Sequence, residues 1–435
     1  MKRLALHWQI TIALVLGFVW AYVASSMGWM DVTLQWIDPF GTVFLRLLKM
    51  IAVPLVAVSV MRGVASLGDI RQLGQLGVRT LLLYLGTTIA AVSIGLLLVN
   101  VMQPGTRADL AQRERNHAAY ESWRANPDSP GSPGNSQTTA APATIPDTEG
   151  PLQPMIDMIP DNVVGAFSEA AMLQIIAFAI LVGVAMILVP AERTKPITDL
   201  LMALDGIFLK IVELIMRGAP FFVFCLVAGK VGGLAGDDPS RLLGMFETLG
   251  WYSATVVLGL VLIIGVVYPV LIKIVRPDVS IRSFFTAMAP AQTLAFSSSS
   301  SAATLPVTLE CVRDRLGVQQ RTAGFVLPIG ATINMDGTSM YQAVVVVFLA
   351  QFHMIDLSLT QQLTIVLTAT LASIGAAAVP SGGLVTLILV MQSVGLNPAW
   401  ISFVVPVDRL LDMGRTVVNV TGDAAVCAAV DRWVE

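Results

Sequence analysis

Along the chain, long apolar runs alternate with short polar joints. Leu4 to Met30, Thr80 to Thr106, Ala170 to Ala191 and Thr248 to Ile272 contain no Asp, Glu, Lys or Arg. A bilayer-spanning helix needs about 20 mostly apolar residues, so these runs predict membrane helices. The first half of the chain reads as conventional spans at about Trp8 to Ser26, Phe40 to Ala65, Gly77 to Met102, Asp161 to Val189, Ile197 to Val231 and Phe246 to Val275. The N-terminal run is too long for a signal peptide and lacks a small-residue cleavage site, so it reads as the first span.

Past Val275 the pattern changes. Phe284 to Leu309 is free of charge, yet its middle is five consecutive serines, Ser297 to Ser301. A second charge-free run, Leu357 to Val407, is interrupted by Val379-Pro380-Ser381-Gly382-Gly383. Small polar residues, Gly and Pro at mid-depth are poor material for a continuous helix, and irregular backbone is tolerated there only when buried in protein or lining a watery cavity. Each interruption is followed by a segment carrying Asn and Asp: Asn334 with Asp336, then Asn419 with Asp423. Two re-entrant hairpins in a repeat are therefore expected, the sequence signature of a carrier's binding site. The alternative is two kinked spans packed through small residues.

Composition narrows the class. Of the residues, 55% are hydrophobic and 13% charged, with mean hydropathy +0.75. Soluble domains carry roughly a quarter charged residues, which excludes an ordinary soluble enzyme. A net charge of -3 gives no basic footprint for nucleic acid. Cys225, Cys311 and Cys427 lie in apolar tracts without CxxC spacing, and His7, His117 and His353 are scattered, so neither a metal centre nor a histidine-based active site is expected. An intramembrane serine hydrolase would lack a His or Lys base within the membrane tracts.

Basic residues orient the spans. Lys2 and Arg3, then Arg62, Arg71 and Arg79, then Arg193 and Lys195, then Lys273, Arg276 and Arg282 mark alternate joints as cytoplasmic. Pro104 to Asp161 holds four Arg against eight acidic residues, 4 minus 8 giving -4, and is expected outside. Rich in Pro, Ser, Gly and Asn between Asn126 and Pro154, it reads as a mobile loop.

The last apolar segment carries the strongest chemistry. Asp408, Asp412, Arg415, Asn419 and Asp423 fall within about an 80° arc at 100° per residue. Each charge at the centre of a span costs about 3 kcal/mol on insertion scales. Pairing of Arg415 with Asp412 one turn away explains part of the set. Asp423 has no cationic partner in reach on its own helix. Asp336, in Gly330-Ala331-Thr332-Ile333-Asn334-Met335-Asp336-Gly337-Thr338, poses the same question. Carboxylate, Asn side chain and carbonyls freed by a broken helix are the hard oxygen ligands of a small alkali cation.

These stretches, together with Ala303 to Thr308, Val379 to Leu384 and Asp412-Met413-Gly414-Arg415-Thr416-Val417-Val418-Asn419-Val420-Thr421-Gly422-Asp423, resemble the glutamate transporter family, the dicarboxylate/amino acid:cation symporters. The nearest likeness is to its archaeal sodium-coupled aspartate-transporting branch. It covers nearly the whole chain except the Pro104 to Pro154 loop. The resemblance implies an all-α polytopic membrane protein with eight transmembrane helices, two re-entrant helical hairpins and inverted repeats. It implies a homotrimer working as an elevator, embedded in the plasma (inner) membrane with both termini cytoplasmic and the 104–160 loop outside. Scaffold helices 1 and 2 would occupy 1–76, transport-domain helix 3 would occupy 77–103, and scaffold helices 4 and 5 would occupy 161–235. The transport domain would continue over 236–435, with hairpin one at about 281–313 and hairpin two at about 358–395.

Carried over by motif, the resemblance makes Arg415 the ligand of a substrate side-chain carboxylate, a role that suits a planar guanidinium fork. Asp412 would take the α-ammonium, with Thr416 and Asn419 completing the pocket. Ser299 and Ser301 would come from hairpin one, Thr338 from helix 7, and Val379 and Gly383 from hairpin two. Co-transported Na+ would be held by Gly330, Asn334, Asn419 and Asp423. A second Na+ would lie on Thr332, Ser373, Ile374 and Ala376, and a third on Tyr84, Thr87, Thr88, Asn334 and Asp336. On their own, Tyr84, Thr87 and Thr88 would read as interhelical hydrogen bonding. Gln342 stands where animal members carry Glu, and Ser299 and Met413 stand where the family places a further Arg.

The expected function is sodium-coupled symport of aspartate or glutamate, with no enzymatic activity. The alternative is a proton-coupled glutamate/aspartate or C4-dicarboxylate symporter, and an anion leak is a further possibility. A plain dicarboxylate such as succinate brings no ammonium and would leave Asp412 buried unpaired, which favours the amino acid.

Overall fold

The computed structural model describes residues 6–66, 75–125, 159–168, 172–235, 239–374 and 381–433. Helices fill them, with no strand among the described residues. In chain order the main helices are α1 (Leu6–Met27), α2 (Asp38–Ser66), α3 (Gln75–Met102), α4 (Leu110–Ala125), α5 (Met172–Leu188), α6 (Ala191–Arg217) and α7 (Ala219–Leu226). There follow α8 (Pro239–Leu262), running on through a π-turn into α9 (Tyr268–Val275), then α10 (Ile281–Ser298), α11 (Ser301–Glu310), α12 (Gln320–Ile333) and α13 (Asp336–Phe352). The chain ends with α14 (Leu359–Ile374), α15 (Gly382–Ser393) and α16 (Ile401–Arg432).

The helices are inside-out by the standard of a soluble protein. On α3, Val78, Leu82, Leu85 and Ile89 are exposed while Thr80, Tyr84, Thr87 and Thr88 are buried. Apolar residues facing out and polar ones facing in suit a solvent of lipid tails. Four helices among the described residues are long and apolar enough to cross a bilayer: Trp8–Met27, Gly77–Arg107, Gly244–Val275 and Gln320–Phe352. Ala191–Ile215 with Ala219–Gly229 makes a fifth if that bent pair is one span. Helix α16 does not qualify for a physical reason: Asp408, Arg409, Asp412, Arg415 and Asp423 lie on it, all shielded by protein.

Packing falls into two sets. Helices α1, α2, α5, α6 and α7 pack chiefly on one another. Helices α3, α8, α10 to α13 and α16 form the other set, with α13, buried except at Gln351, between α3 and α16, and α14 and α15 packed against it. Two helical hairpins belong to the second set. Hairpin one is α10 against α11, turning at Ser299 (φ 51°, left-handed) and Ser300. The Ser300 hydroxyl accepts the Ala303 N–H at 3.2 Å and caps α11, the common use of serine at a helix start. Hairpin two is α14 against α15, and α15 begins after Ser381 (φ 58°).

The expectation of a loose outer loop needs correction over its first part. Residues 104–107 form a 3-10 turn, and α4 follows as a docked amphipathic helix. Arg113 donates through Nε and Nη2 to the Gln351 carbonyl at 3.3 and 3.0 Å. His117 Nδ1 lies 3.0 Å from the His353 carbonyl. Tyr120 packs between Trp123 and Trp400, with ring centroids at 5.8 and 5.5 Å. Burial raises its hydroxyl above the ordinary phenol range, so it stays a donor. Arg113, Glu114, Arg115, Glu121 and Arg124 thus stand on a helix rather than a coil, and its aromatic residues pack down. The Pro/Ser/Gly-rich remainder, 126–158, lies outside the described residues. Tyr120→Ala is expected to loosen α4 alone. Losing one aromatic of this kind removes about 2 kcal/mol, so protease cleavage within 110–125 should rise roughly thirtyfold. The melting of the remaining chain should stay unchanged.

Candidate functional site

Helix α12 stops at Ile333, Asn334 (φ −94°, ψ 89°) and Met335 (φ −117°, ψ 56°) leave helical geometry, and α13 restarts at Asp336. The break sits beside the polar face of α16. Asp408, Asp412, Arg415, Thr416, Asn419 and Asp423 are each at most 5% exposed. Two neighbouring clusters result.

The first surrounds Arg415. Its Nη2 donates to Asp408 Oδ1 and to Asp412 Oδ1, both at 2.8 Å. Its guanidinium carbon lies 3.8 Å from the Tyr341 ring centroid. Nε and Nη1 are buried with no hydrogen-bond partner, so these donors of the guanidinium are left unused. Asp412 Oδ2 accepts the Ser381 N–H at 2.7 Å, tying the start of α15 to α16, and accepts Arg409 Nη1 at 3.2 Å. Asn419 closes the floor: its Oδ1 accepts the Gly337 N–H at 2.9 Å, and its Nδ2 donates to the Thr338 hydroxyl at 3.3 Å. Gly383 faces Nη1 of Arg415. A Cβ there would come within 3.3 Å of Nη1 and 2.8 Å of the Thr338 methyl, so the position must stay bare for Nη1 to remain accessible. Gln342 Nε2 donates to the Gly383 carbonyl at 3.2 Å and to the Thr386 hydroxyl at 2.6 Å.

The second cluster gathers oxygen around two carboxylates. Asp336 Oδ1 accepts the Thr88 hydroxyl at 2.7 Å and lies 3.3 Å from the Thr87 hydroxyl, which is also 3.3 Å from Asn334 Oδ1. Asp336 Oδ2 accepts the Tyr268 hydroxyl at 2.9 Å. Asp423 Oδ1 accepts Asn334 Nδ2 at 3.0 Å. Tyr84 donates to the Val326 carbonyl at 3.0 Å. Gly330 permits the approach of α12: a Cβ there would meet the Tyr84 hydroxyl and sit 2.5 Å from Asp423 Oδ1. Among the described residues, neither Asp336 nor Asp423 has a cationic side chain paired with it. A buried carboxylate without a counter-charge is expensive. Among the described residues, hydrogen bonds but no cationic side chain offset these two.

The remaining sequence-derived positions sit as follows. Ser299 and Ser301 are buried at the tip of hairpin one, which packs on α16, and the Ser299 hydroxyl has no partner. Thr416 donates to the Asp412 carbonyl at 2.9 Å, so its hydroxyl is turned to its own helix. Thr332 and Ser373 likewise donate to the Ile329 and Thr370 carbonyls, at 3.0 and 2.7 Å, although their helices touch. Ala376, Val379 and the side chain of Ile374 fall outside the described residues. Sequence reasoning missed Tyr268, which reaches Asp336 from 68 residues away. It also missed Arg409, the second cation of the Arg415 cluster. Tyr268 stood in an apolar run with no polar neighbour to flag it. Arg409, a buried Arg one turn before Asp412, could have been flagged by the helical spacing already used for Asp412.

Buried ionic clusters beside a broken helix and two hairpins, in a chain whose polar faces point inward, define a membrane carrier. A family model described as the Sodium:dicarboxylate symporter family matches residues 6–433, and the chain belongs to that family. It is 32% identical over 440 residues to the proton/glutamate-aspartate symporter of Escherichia coli, covering 99% of this chain and 93% of that one. It is 34% identical over 463 residues to mouse excitatory amino acid transporter 3, covering 98% and 85%. It is 32% identical over 439 residues to the proton/sodium-glutamate symport protein of Bacillus subtilis, covering 100% and 94%. Family and relatives are transporters, not enzymes.

Proposed function

We propose that this chain is a secondary active symporter that uses a sodium gradient to accumulate an acidic amino acid, aspartate or glutamate. The observation that carries the reading is the buried Arg415, whose Nε and Nη1 have no partner while Nη2 is anchored on Asp408 and Asp412. A guanidinium held by one corner presents its remaining donors to a planar carboxylate. Asp412 takes the substrate's ammonium on the same helix, with Asn419, Thr338 and Gly383 around it. Ser299, Ser301, Thr416 and Val379 complete the pocket in this reading.

Sodium ions are cargo that supplies the counter-charge absent around Asp336 and Asp423. One is assigned to Gly330, Asn334, Asn419 and Asp423, and one to Tyr84, Thr87, Thr88, Asn334 and Asp336. A third lies on Thr332, Ser373, Ile374 and Ala376. Coupling requires that hairpin two stay open over a partly loaded pocket and close over one holding both substrate and cations, or neither. The two packing sets suit a division of labour in which the α1, α2, α5 to α7 set is a scaffold and the other a moving domain. We further infer eight spans with two re-entrant hairpins, an elevator stroke, a homotrimer, cytoplasmic termini and an outer 104–160 segment.

The test is uptake into proteoliposomes. An imposed inward sodium gradient should drive accumulation of labelled aspartate at least tenfold above a choline control, a difference of about 1.4 kcal/mol in driving force. Equal uptake with sodium replaced by choline, under a clamped pH gradient, would overturn sodium coupling and favour proton coupling, the mode named for the E. coli relative.

A further inference from the structure

A substrate without an ammonium is expected from the sequence to leave Asp412 buried and unpaired. The side-chain geometry removes that premise. Arg409, 5% exposed, reaches Asp412 Oδ2 at 3.2 Å. Its Nε is buried without a partner, and Asp412 is the one acidic group with which it forms an ion pair among the described residues. Arg415 meanwhile spans Asp408 and Asp412. The cluster thus holds two carboxylates and two guanidiniums, +2 against -2, and is neutral before any substrate arrives.

We propose that Arg409 is a positioning residue that sets substrate selectivity: by pairing with Asp412 from within the helix, it stands in for the substrate's ammonium and lets the pocket accept plain C4 dicarboxylates alongside aspartate. The inference deepens the symport reading and rests on it. Charge counting gives the direction. Aspartate at neutral pH brings -1, so the loaded cluster carries -1 with Arg409 and -2 without it. Succinate brings -2, so its loaded cluster carries -2 with Arg409 and -3 without it. Like charge accumulating in a desolvated pocket weakens binding steeply. An ammonium donates to Asp412 directly and can replace the lost Arg409 contact. Succinate has nothing to offer there. Loss of Arg409 therefore weakens succinate far more than aspartate, and Arg415 can reach both.

The experiment is competition by unlabelled succinate and aspartate against sodium-driven uptake of labelled aspartate by the full-length protein in proteoliposomes. In the unsubstituted protein, succinate should compete within about thirtyfold of aspartate. In Arg409→Gln, the ratio of half-inhibitory succinate to half-inhibitory aspartate should rise at least tenfold, about 1.4 kcal/mol of added discrimination. Arg409→Lys, which keeps the charge, should restore most of the ratio. A merely structural role would lower uptake of both without moving the ratio. An unchanged ratio in Arg409→Gln overturns the inference while leaving the aspartate reading intact. So does failure of succinate to compete in the unsubstituted protein, a measurement that stands even if the glutamine variant does not fold. Absence of any aspartate uptake by the unsubstituted protein overturns both.

Discussion

Arg415→Ala is expected to abolish aspartate uptake and to lower the melting temperature of the purified protein. The two effects have separate origins. Hydrogen bonds to charged groups contribute about 1.5–3 kcal/mol each, so removing the unused donors on Nε and Nη1 weakens a carboxylate held by one or two such bonds by about 1.5–6 kcal/mol, or roughly one to four decades in affinity. The anchored corner matters independently. Asp408 and Asp412 share Nη2, and breaking a buried ion pair by deleting one partner costs about 3–5 kcal/mol. Arg415→Lys separates the contributions. A lysine retains charge between the two carboxylates but presents no planar fork, so melting should recover most of the loss while uptake stays well below normal. Scintillation proximity binding alongside differential scanning fluorimetry reads both. Normal aspartate affinity in a folded Arg415→Ala protein would remove Arg415 from the pocket.

Asp423→Asn should move stability and sodium response in opposite directions. Asp423 is 3% exposed, accepts one hydrogen bond from Asn334, and has no cationic partner among the described residues. Neutralising it in the absence of sodium removes an uncompensated buried charge and should raise the melting temperature. The same change removes a ligand charge from the proposed sodium site. At ~4 Å and an effective dielectric of about 20 a unit charge pair is worth about 4 kcal/mol, of which lost hydration cancels part, so sodium affinity should fall at least a hundredfold. Ligands that bind only the folded state stabilise it in proportion to the logarithm of concentration over Kd. Sodium added to the unsubstituted protein should therefore shift its melting upward, and added to Asp423→Asn should shift it little. A full sodium shift in the variant would show that Asp423 is not a cation ligand.

Much of this was legible along the chain, because membrane helices announce themselves by length and because rare charges in apolar runs must have a reason. The interruptions at Ser297 to Ser301 and around Ser381 mark the two hairpin tips, and the glycines flanking Asn334 mark the break between α12 and α13. The common arc of Asp412, Arg415, Asn419 and Asp423 follows from helical spacing alone. What escaped were pairings between or along elements whose geometry periodicity does not encode. Tyr268 meets Asp336 only because α9 lies against the break. Arg409 was passed over because its pairing with Asp412 is a contact within α16 that spacing permits but does not require. The docking of α4 depends on Trp400, 280 positions beyond Tyr120.

The bond from the Ser381 N–H to Asp412 Oδ2 at 2.7 Å has a further consequence. In the proposed pocket the same carboxylate receives the substrate's ammonium, so the chain carries an intramolecular competitor tethered a short reach from its target. Such a rival acts at the high effective concentration of any linked group, and every measured substrate affinity is a difference between the ammonium and the donors already on that oxygen, the Ser381 N–H and Arg409 Nη1. In the proposed cycle this bond would let hairpin two latch onto Asp412 whenever the ammonium is away, and a carrier whose latch closes when empty can return to reload.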